Sequence, residues 1–229
     1  MANKKPWPQW RLRPRIFVAM PNLGELAVGH TVNLIKWMPS GKYDILWFPL
    51  VGKAPLDRAR NECHQAFLQS RYDYLFFLDA DTVPPVEALD MLLMADVDMV
   101  SATVQTFKMH NGEPRLDPVA YRWNEEDPED IGYKVYVGSG VDEVDVATLA
   151  CTLIRRPVLE KVKIPAFQYQ CLDKFGIDGY SEDFFFSRCV KEAGFKIHNH
   201  YGILCHHFKK FDCAVVNTLM INASLAGKP

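Results

Sequence analysis

Apolar runs and amphipathic segments alternate along the first hundred residues of the chain. Short apolar runs closed by turns or polar segments predict buried strands at 15–20, 43–50, 72–78 and 97–104. Apolar positions at three-to-four spacing predict helices at 30–38, 55–70 and 85–95. Strands separated by helices are typical of an α/β fold with a largely parallel sheet, whose ligands bind at the carboxyl ends of the strands.

The second half of the chain has a less regular pattern. Residues 108–132 are polar and rich in proline and acid, which predicts a long loop or insertion. The remaining predicted elements are strands at 133–137 and 141–154, helices at 157–162 and 181–193, strands at 195–198 and 201–207, and a terminal helix at 211–225. The sequence contains no internal repeat, so we expect one α/β domain over residues 1–229.

Composition narrows the class of protein. With 229 residues, 48% of them hydrophobic and 24% charged, the chain is expected to be globular and soluble rather than disordered. A net charge of -2 gives no electrostatic indication of nucleic-acid binding. No apolar run approaches the roughly 20 residues of a membrane span, and no apolar region follows the charged start of the chain, so we expect no span and no secretory signal. The six cysteines form no CxxC pair, which favours reduced thiols and a cytoplasmic location.

Two carboxylates stand where a ligand site is expected. Asp79-Ala80-Asp81 follows the apolar run 74–78, at the predicted carboxyl end of a strand. Carboxylates in such a position can bind a divalent cation together with diphosphate oxygens. A second Asp-x-Asp, at 96–98, falls between a predicted helix and a strand, which is typical of a solvated turn.

Six segments, in chain order, resemble those of GT-A type, family-2-like glycosyltransferases. They are Pro21-x-x-x-Glu25, Asp57-Arg-Ala-Arg-Asn61, Tyr74-Leu-Phe-Phe-Leu-Asp-Ala-Asp81, Thr152-Leu-Ile-Arg-Arg156, Gly179-Tyr-Ser-Glu-Asp-Phe-Phe-Phe-Ser-Arg188 and Leu204-Cys-His-His207. The resemblance implies a single GT-A (Rossmann-like) domain with a central, mostly parallel or mixed sheet flanked by helices. It also implies a nucleotide-sugar-binding half over about 15–104 and an acceptor-binding half over about 105–229.

On the donor side, the resemblance implies a Mn²⁺ or Mg²⁺ held by Asp81, with Asp79 on the ribose or the metal. A late histidine, His206 or His207, would complete the metal or diphosphate contacts. Neighbouring residues of a strand point to opposite faces, so only one of the two histidines is expected at the site.

Four more residues are expected around the donor by the same resemblance. Pro21 and Glu25 would contact the nucleotide base. Arg60 would lie near the phosphate or the base, and Asn61 would hydrogen-bond the donor. The alternative for Arg60 and Asn61 is a solvated, charged helix face.

On the acceptor side, Asp183 is the candidate general base and Glu182 its neighbour, which can instead bind the acceptor sugar. Ser181 is a good helix N-cap, and the helix dipole is expected to keep Asp183 ionised at neutral pH. Trp123 lies in the predicted insertion and would border the acceptor.

The resemblance implies transfer from a UDP- or GDP-sugar to a glycan or another hydroxyl acceptor, with inversion at the anomeric carbon. Some related GT-A enzymes retain configuration instead. The chain contains no Gln-x-x-Arg-Trp segment, which argues against processive polymer synthesis. Two alternatives stay open: a non-catalytic nucleotide-sugar or carbohydrate-binding module, and a haloacid dehalogenase-like phosphatase, whose sequence also has Asp-x-Asp after an apolar strand.

Overall fold

A computed structural model describes residues 13–110, 113–126, 132–172, 174 and 179–209 of the chain. Its strands are β1 Arg15–Asn22, β2 Asp44–Val51, β3 Tyr74–Leu78, β4 Thr82–Val83, β5 Met99–Thr103, β6 Gln105–His110, β7 Glu113–Pro118, β8 Ala120–Asn124, β9 Gly132–Val135, β10 Val141–Val144, β11 Val146–Ala147, β12 Cys151–Arg155, β13 Gln170–Cys171, β14 Gly179–Tyr180, β15 Ile197–Leu204 and β16 His206–His207. Its helices are α1 Val28–Trp37, α2 Leu56–Leu68, α3 Ala88–Met94, α4 Arg156–Lys161 and α5 Glu182–Glu192, with a 3₁₀ turn at Met38–Ser40.

A seven-stranded mixed sheet forms the centre of the domain, in the order β10-β15-β5-β12-β3-β1-β2. The strands β1, β2 and β3 are mutually parallel, and β5 is parallel to β15. The strand β12 runs antiparallel to both of its neighbours, β3 and β5. This arrangement confirms the predicted α/β domain with a mixed central sheet.

Two apolar cores cover the two faces of this sheet, because successive side chains of a strand point to opposite sides. Phe77 packs on one face with Phe67 of α2 and Phe186 of α5. Phe76 packs on the other face with Trp37 of α1 and Leu89 of α3. All five residues of β3 are buried, so the strand is held rigidly from both sides.

Three predictions for the second half of the chain were wrong. The predicted loop at 108–132 contains most of the antiparallel pair β6–β7 as well as β8. Their polar residues hide the strand pattern, because these small outer sheets bury little apolar surface. The long strand predicted at 141–154 is three strands, β10, β11 and β12. The two strands predicted at 195–207 are largely one, β15, whose register shifts between His200 and Leu204.

Further predictions concern the termini and the thiols. The helix predicted at 211–225 lies outside the described residues. Cysteines within the described part are free, and four of them, Cys63, Cys151, Cys189 and Cys205, are buried. Within the same part of the chain, the helices are all too short or too polar to cross a bilayer.

Candidate active site

The strand β3 carries Asp79 and Asp81 to the rim of the sheet, as the sequence predicts. The backbone N–H of Asp79 donates to the carbonyl of Ala150, at 2.8 Å, which ties the turn to the chain just before β12. The N–H of Thr82 returns to the carbonyl of Asp79, at 3.1 Å. Backbone bonds on both sides therefore fix the positions from which the two carboxylates project.

The loop after β1 lies against this turn. The N–H of Ala27 donates to the carbonyl of Ala80, at 3.1 Å. His30 Nε2 lies 3.1 Å from the same carbonyl oxygen, and this buried ring steadies the turn from the side of α1. Pro21 is buried in β1, whereas Glu25 is exposed on the loop. The loop predicted to contact a nucleotide base thus adjoins the two aspartates.

The end of the described chain also contacts Asp81. The strand β16 pairs with β4 so that His207 stands opposite Thr82. His207 Nε2 lies 3.5 Å from Asp81 Oδ2, and Lys209 Nζ donates to the same oxygen at 2.7 Å. His206 is exposed. Of the two candidate histidines, only His207 lies at the aspartate.

The donor atoms at Asp81 and His207 fit a divalent cation. His207 Nδ1 lies 2.8 Å from the carbonyl oxygen of Gln105, and a carbonyl can only accept, so Nδ1 carries the hydrogen. In the neutral ring Nε2 then carries the lone pair that could bind a metal, an arrangement usual for histidine ligands. In the protonated ring Nε2 carries a hydrogen and faces Asp81 as a donor. Among the described residues no group of three or more potential ligands converges. A cation held here would keep positions open for water and phosphate oxygens, as Mg²⁺ commonly does.

Without a cation, the groups around Asp81 form an ion cluster. Burial opposes the ionised form of Asp81, but hydrogen bonds from His207 and Lys209 outweigh it and hold the pKa of Asp81 below its usual range. The hydrogen bond to Asp81 raises the pKa of His207, against the effect of burial. The carboxylate is therefore negative at any physiological pH and ready to bind a positive group.

Arg60 connects the two predicted groups of acids. Its guanidinium is only 1% exposed and lies between Asp79 and Glu182. Nη2 donates to Asp79 Oδ2 at 3.1 Å, and Nε donates to Glu182 Oε1 at 3.2 Å. The ring of Phe77 lies 5.1 Å from the guanidinium carbon. The sequence motifs at 57–61, 79–81 and 182–183 thus meet at one site.

The position of Arg60 corrects two expectations. Arg60 is neither on a solvated helix face nor exposed to a ligand; it is the buried counter-ion of the acids. Glu182, whose side chain is 5% exposed, is held on Arg60 and is not placed on an open surface for an acceptor sugar. Burial lowers the pKa of Arg60, but Asp79, Asp183 and Glu182 together raise it above the usual value.

Three carboxyl groups lie around this single guanidinium, and the pKa values of Asp183 and Asp79 are shifted. Burial raises the pKa of Asp183 to about 8, and repulsion from Glu182 acts in the same direction. Burial likewise raises the pKa of Asp79, although Arg60 opposes the shift. The expectation that the helix N-terminus keeps Asp183 ionised at neutral pH was wrong, because burial and like charge outweigh it. With a pKa near 8, the fraction of Asp183 that is ionised and able to accept a proton grows as the pH rises toward 8.

Several polar atoms of this cluster are buried with no hydrogen-bond partner among the described residues. They are Arg60 Nη1, Asp79 Oδ1 and Asp183 Oδ1. Buried polar atoms are normally paired, so three unpaired atoms in one cluster point to a site that a ligand or water completes.

Asn61 has a different place from the one expected. Its side-chain amide donates to the carbonyl of Phe167 at 2.7 Å and accepts from the N–H of Ala166 at 3.2 Å. It therefore fastens the segment after α4 to α2. Asn61 also borders a cavity of about 740 Å³ whose lining includes Asp57 and Pro165 but none of the clustered acids.

Aromatic rings surround the start of α5 next to Asp183. Phe184 stacks on Tyr180, with centroids 5.1 Å apart, and touches Tyr133 at 5.2 Å. Tyr133 in turn contacts Trp123, at 4.9 Å. Trp123 is 42% exposed, so this aromatic group offers an accessible ring surface.

Lys209 and His30 are contacts that the sequence interpretation missed. A signal for Lys209 was present, since alternation along an extended chain places 207 and 209 on one side. His30 has no comparable signal, because a histidine on a short helix is usually a packing residue.

Comparisons with known proteins agree with this fold. Residues 57–163 match the model of glycosyl transferase family 2. The crystal structure of A197 from STIV is 21% identical, with a TM-score of 0.56, and the match covers 86% of each chain. The structure of GalNAc-T7 with UDP, GalNAc and Mn²⁺ is 12% identical, with a TM-score of 0.52, and the match covers 88% of this chain and 45% of that one. No curated protein matches the sequence.

The order of the strands and these comparisons distinguish the GT-A fold from the fold of haloacid dehalogenase-like phosphatases. Haloacid dehalogenase-like phosphatases open with the Asp-x-Asp strand, whereas β1 and β2 precede β3 here. The phosphatase alternative is therefore wrong about the fold. The family match over 57–163 and the structural matches agree on one architecture. The chain has a GT-A type α/β fold, and residues 57–163 of it match glycosyl transferase family 2.

Proposed function

We propose that the protein transfers a sugar from a UDP- or GDP-sugar to an acceptor hydroxyl with the help of a divalent cation, Mn²⁺ or Mg²⁺. The observation that carries the proposal is the buried Arg60, which joins Asp79 of the donor side to Glu182 beside Asp183. The GalNAc-T7 structure, a fold neighbour, contains UDP and Mn²⁺, which supports the same chemistry. In this proposal, 15–104 form the donor half and 105–229 the acceptor half.

On the donor side, Asp81 and His207 would hold the cation, and Asp79 would contact the ribose or the cation. When bound, the cation offsets the negative charge that develops on the diphosphate as it leaves. Pro21, near the end of β1, and Glu25, on the loop that Ala27 ties to the aspartate turn, would contact the nucleotide base. Arg60 would keep the Asp79 carboxylate in place through its hydrogen bond to Oδ2.

On the acceptor side, Asp183 would act as general base. The acceptor oxygen forms a bond to the anomeric carbon while its proton passes to Asp183. The bond from that carbon to the diphosphate breaks, and its electron pair stays on the diphosphate oxygen. A base on the face opposite the leaving group gives inversion, which we propose as the stereochemical course.

The acceptor we propose is a glycan. Phe184 follows Asp183 in the chain and contacts Tyr133, which in turn contacts the exposed ring of Trp123. Aromatic faces commonly pack on the apolar faces of sugars. The free thiols of the described residues suit a reducing compartment, and we propose the cytoplasm.

A non-catalytic binding module is the second candidate, since the fold alone does not require turnover. Release of nucleoside diphosphate from UDP- and GDP-sugars with Mn²⁺, with and without a panel of glycan acceptors, separates the two. We expect turnover in the wild type and its loss in Asp81→Asn. Asp98→Asn is the matched control, because Asp98 belongs to the other Asp-x-Asp and pairs only loosely with Arg155, at 3.8 Å.

Two results would count against the enzyme. Equal turnover in wild type and Asp81→Asn would remove Asp81 from the chemistry. Saturable donor binding without turnover on any acceptor would favour the binding module.

A further inference from the structure

Lys209 stands directly on the carboxylate that the proposed function assigns to the cation. Its Nζ lies 2.7 Å from Asp81 Oδ2. The neighbouring N–H of Phe208 donates to the backbone carbonyl of Asp81, at 2.8 Å, which anchors the segment that carries the lysine. The backbone contact does not involve the carboxylate, so the segment stays attached if the ammonium leaves it.

The pair between Lys209 and Asp81 is easy to open. The two side chains are 46% and 42% exposed. Ion pairs of this exposure contribute only about 0–1 kcal/mol, because water solvates both partners. The pair is therefore poorly explained as a stabilising contact of the fold.

A divalent cation and Lys209 compete for the same oxygen. An ammonium has three donors and no lone pair, so it cannot share in binding a cation. Two positive groups on one carboxylate oxygen also repel each other. Binding of a cation at Asp81 must therefore displace the ammonium from Oδ2, while the anchored segment keeps it within the site.

We propose, on the basis of the proposed function, that Lys209 binds the diphosphate of the donor once a divalent cation has displaced it from Asp81. A phosphate oxygen is a strong acceptor for an ammonium, and the flexible stem of lysine lets the charge move from one anion to the other. Lys209 then stabilises the diphosphate as leaving group together with the cation. In the metal-free protein it occupies Asp81 and keeps that carboxylate neutralised.

Two binding measurements on Lys209→Met test this proposal. The substitution removes the charge and keeps a long unbranched side chain. Mn²⁺ alone should bind severalfold more tightly to the variant, because its competitor is gone. UDP or GDP, whichever the wild type binds at saturating Mn²⁺, should bind at least about tenfold more weakly, since a charged hydrogen bond is lost. Lys209→Arg should restore most of the nucleotide affinity.

Lys42→Met is the matched control, because Lys42 forms a similarly exposed pair with Asp90, at 2.6 Å, and neither residue belongs to the cluster around Asp81. It should change neither affinity. In Lys209→Met, tighter Mn²⁺ binding together with weaker nucleotide binding would identify the proposed role. A purely structural role of the segment would weaken both kinds of binding.

The outcomes separate this proposal from the proposed function. Unchanged nucleotide affinity in Lys209→Met, or a joint weakening of Mn²⁺ and nucleotide binding, overturns the role of Lys209 alone. If the wild type binds the nucleotide equally well with and without Mn²⁺, and Lys209→Met does not bind it, then displacement of Lys209 from Asp81 by the cation is overturned. A wild type that binds neither UDP nor GDP with Mn²⁺ overturns the proposed function and this inference together.

Discussion

Arg60 and Glu182 are joined by a buried hydrogen bond of 3.2 Å, although 122 positions separate them in the chain. The same guanidinium holds Asp79 at the end of β3. One side chain of α2 thus sets the distance between the strand that carries the Asp-x-Asp and the helix that begins with the Glu-Asp pair. The first and second halves of the chain are therefore joined through the Arg60 side chain.

The first prediction concerns stability. Arg60→Met should lower the free energy of unfolding by about 3–5 kcal/mol, because it leaves buried carboxylates without their counter-ion. Urea unfolding measures this change. Arg58→Met is the control, since the Arg58 side chain is 69% exposed on the same helix and should change the value by no more than about 0.5 kcal/mol. Equal effects of the two substitutions would contradict the buried cluster.

The second prediction concerns pH. Burial raises the pKa of Asp183 to about 8, so the folded state holds a proton that the unfolded state releases at lower pH. The contribution of Asp183 to stability is therefore complete at acid pH and is lost as the pH rises from about 4 toward about 8. Asp183→Asn should lose less stability over this interval than the wild type. Denaturant unfolding at a series of pH values measures the difference, and parallel curves for the two proteins would refute it.

The third prediction separates binding from chemistry at Asp183. Asp183→Asn should reduce sugar transfer by about 10²–10⁴-fold, the usual effect of a positioned base. Donor binding with Mn²⁺ should stay within a few fold of the wild type, since Asp81 and His207 are untouched. Single-turnover transfer and calorimetric binding give the two numbers. Transfer at the wild-type rate in the variant would mean that Asp183 does not act as a base.

The fourth prediction uses the adjacent histidines as a pair. His207→Ala should weaken Mn²⁺ binding by at least roughly tenfold, which is the scale for losing a contact of a metal site. His206→Ala should leave it unchanged, because His206 is exposed and turned away from Asp81. Titration of Mn²⁺ followed by electron paramagnetic resonance compares the two variants. The reverse order of effects would place the site on the other face of β16.

Much of the architecture could be predicted from the sequence, because apolar runs such as 74–78 and amphipathic helices such as 55–70 report burial directly. The antiparallel strands at 105–124 could not, since they bury little apolar surface and their residues follow no clear alternation. The rim position of Asp79 and Asp81 follows from the strand before them.

The environment of the candidate site was harder to predict. Arg60, Cys63, His64 and Phe67 are all buried at helical spacing, so the periodicity places the arginine on the inner face of α2. The positive charge of Arg60, however, indicated an exposed position on the helix surface. The pKa of Asp183 depends on its burial and on the charges that surround it in space, and no local sequence pattern reports either.

The binding of a nucleotide sugar tests the central claim most directly. Thermal unfolding with UDP- and GDP-sugars, with and without Mn²⁺, should show stabilisation by one of them in the presence of the metal. At 100 times the dissociation constant the stabilisation should be about 2.7 kcal/mol. The shift should disappear without Mn²⁺ and in Asp81→Asn, but persist in Asp98→Asn. Absence of any shift in the wild type with Mn²⁺, or an equal shift in Asp81→Asn, would contradict a nucleotide-sugar site at Asp81.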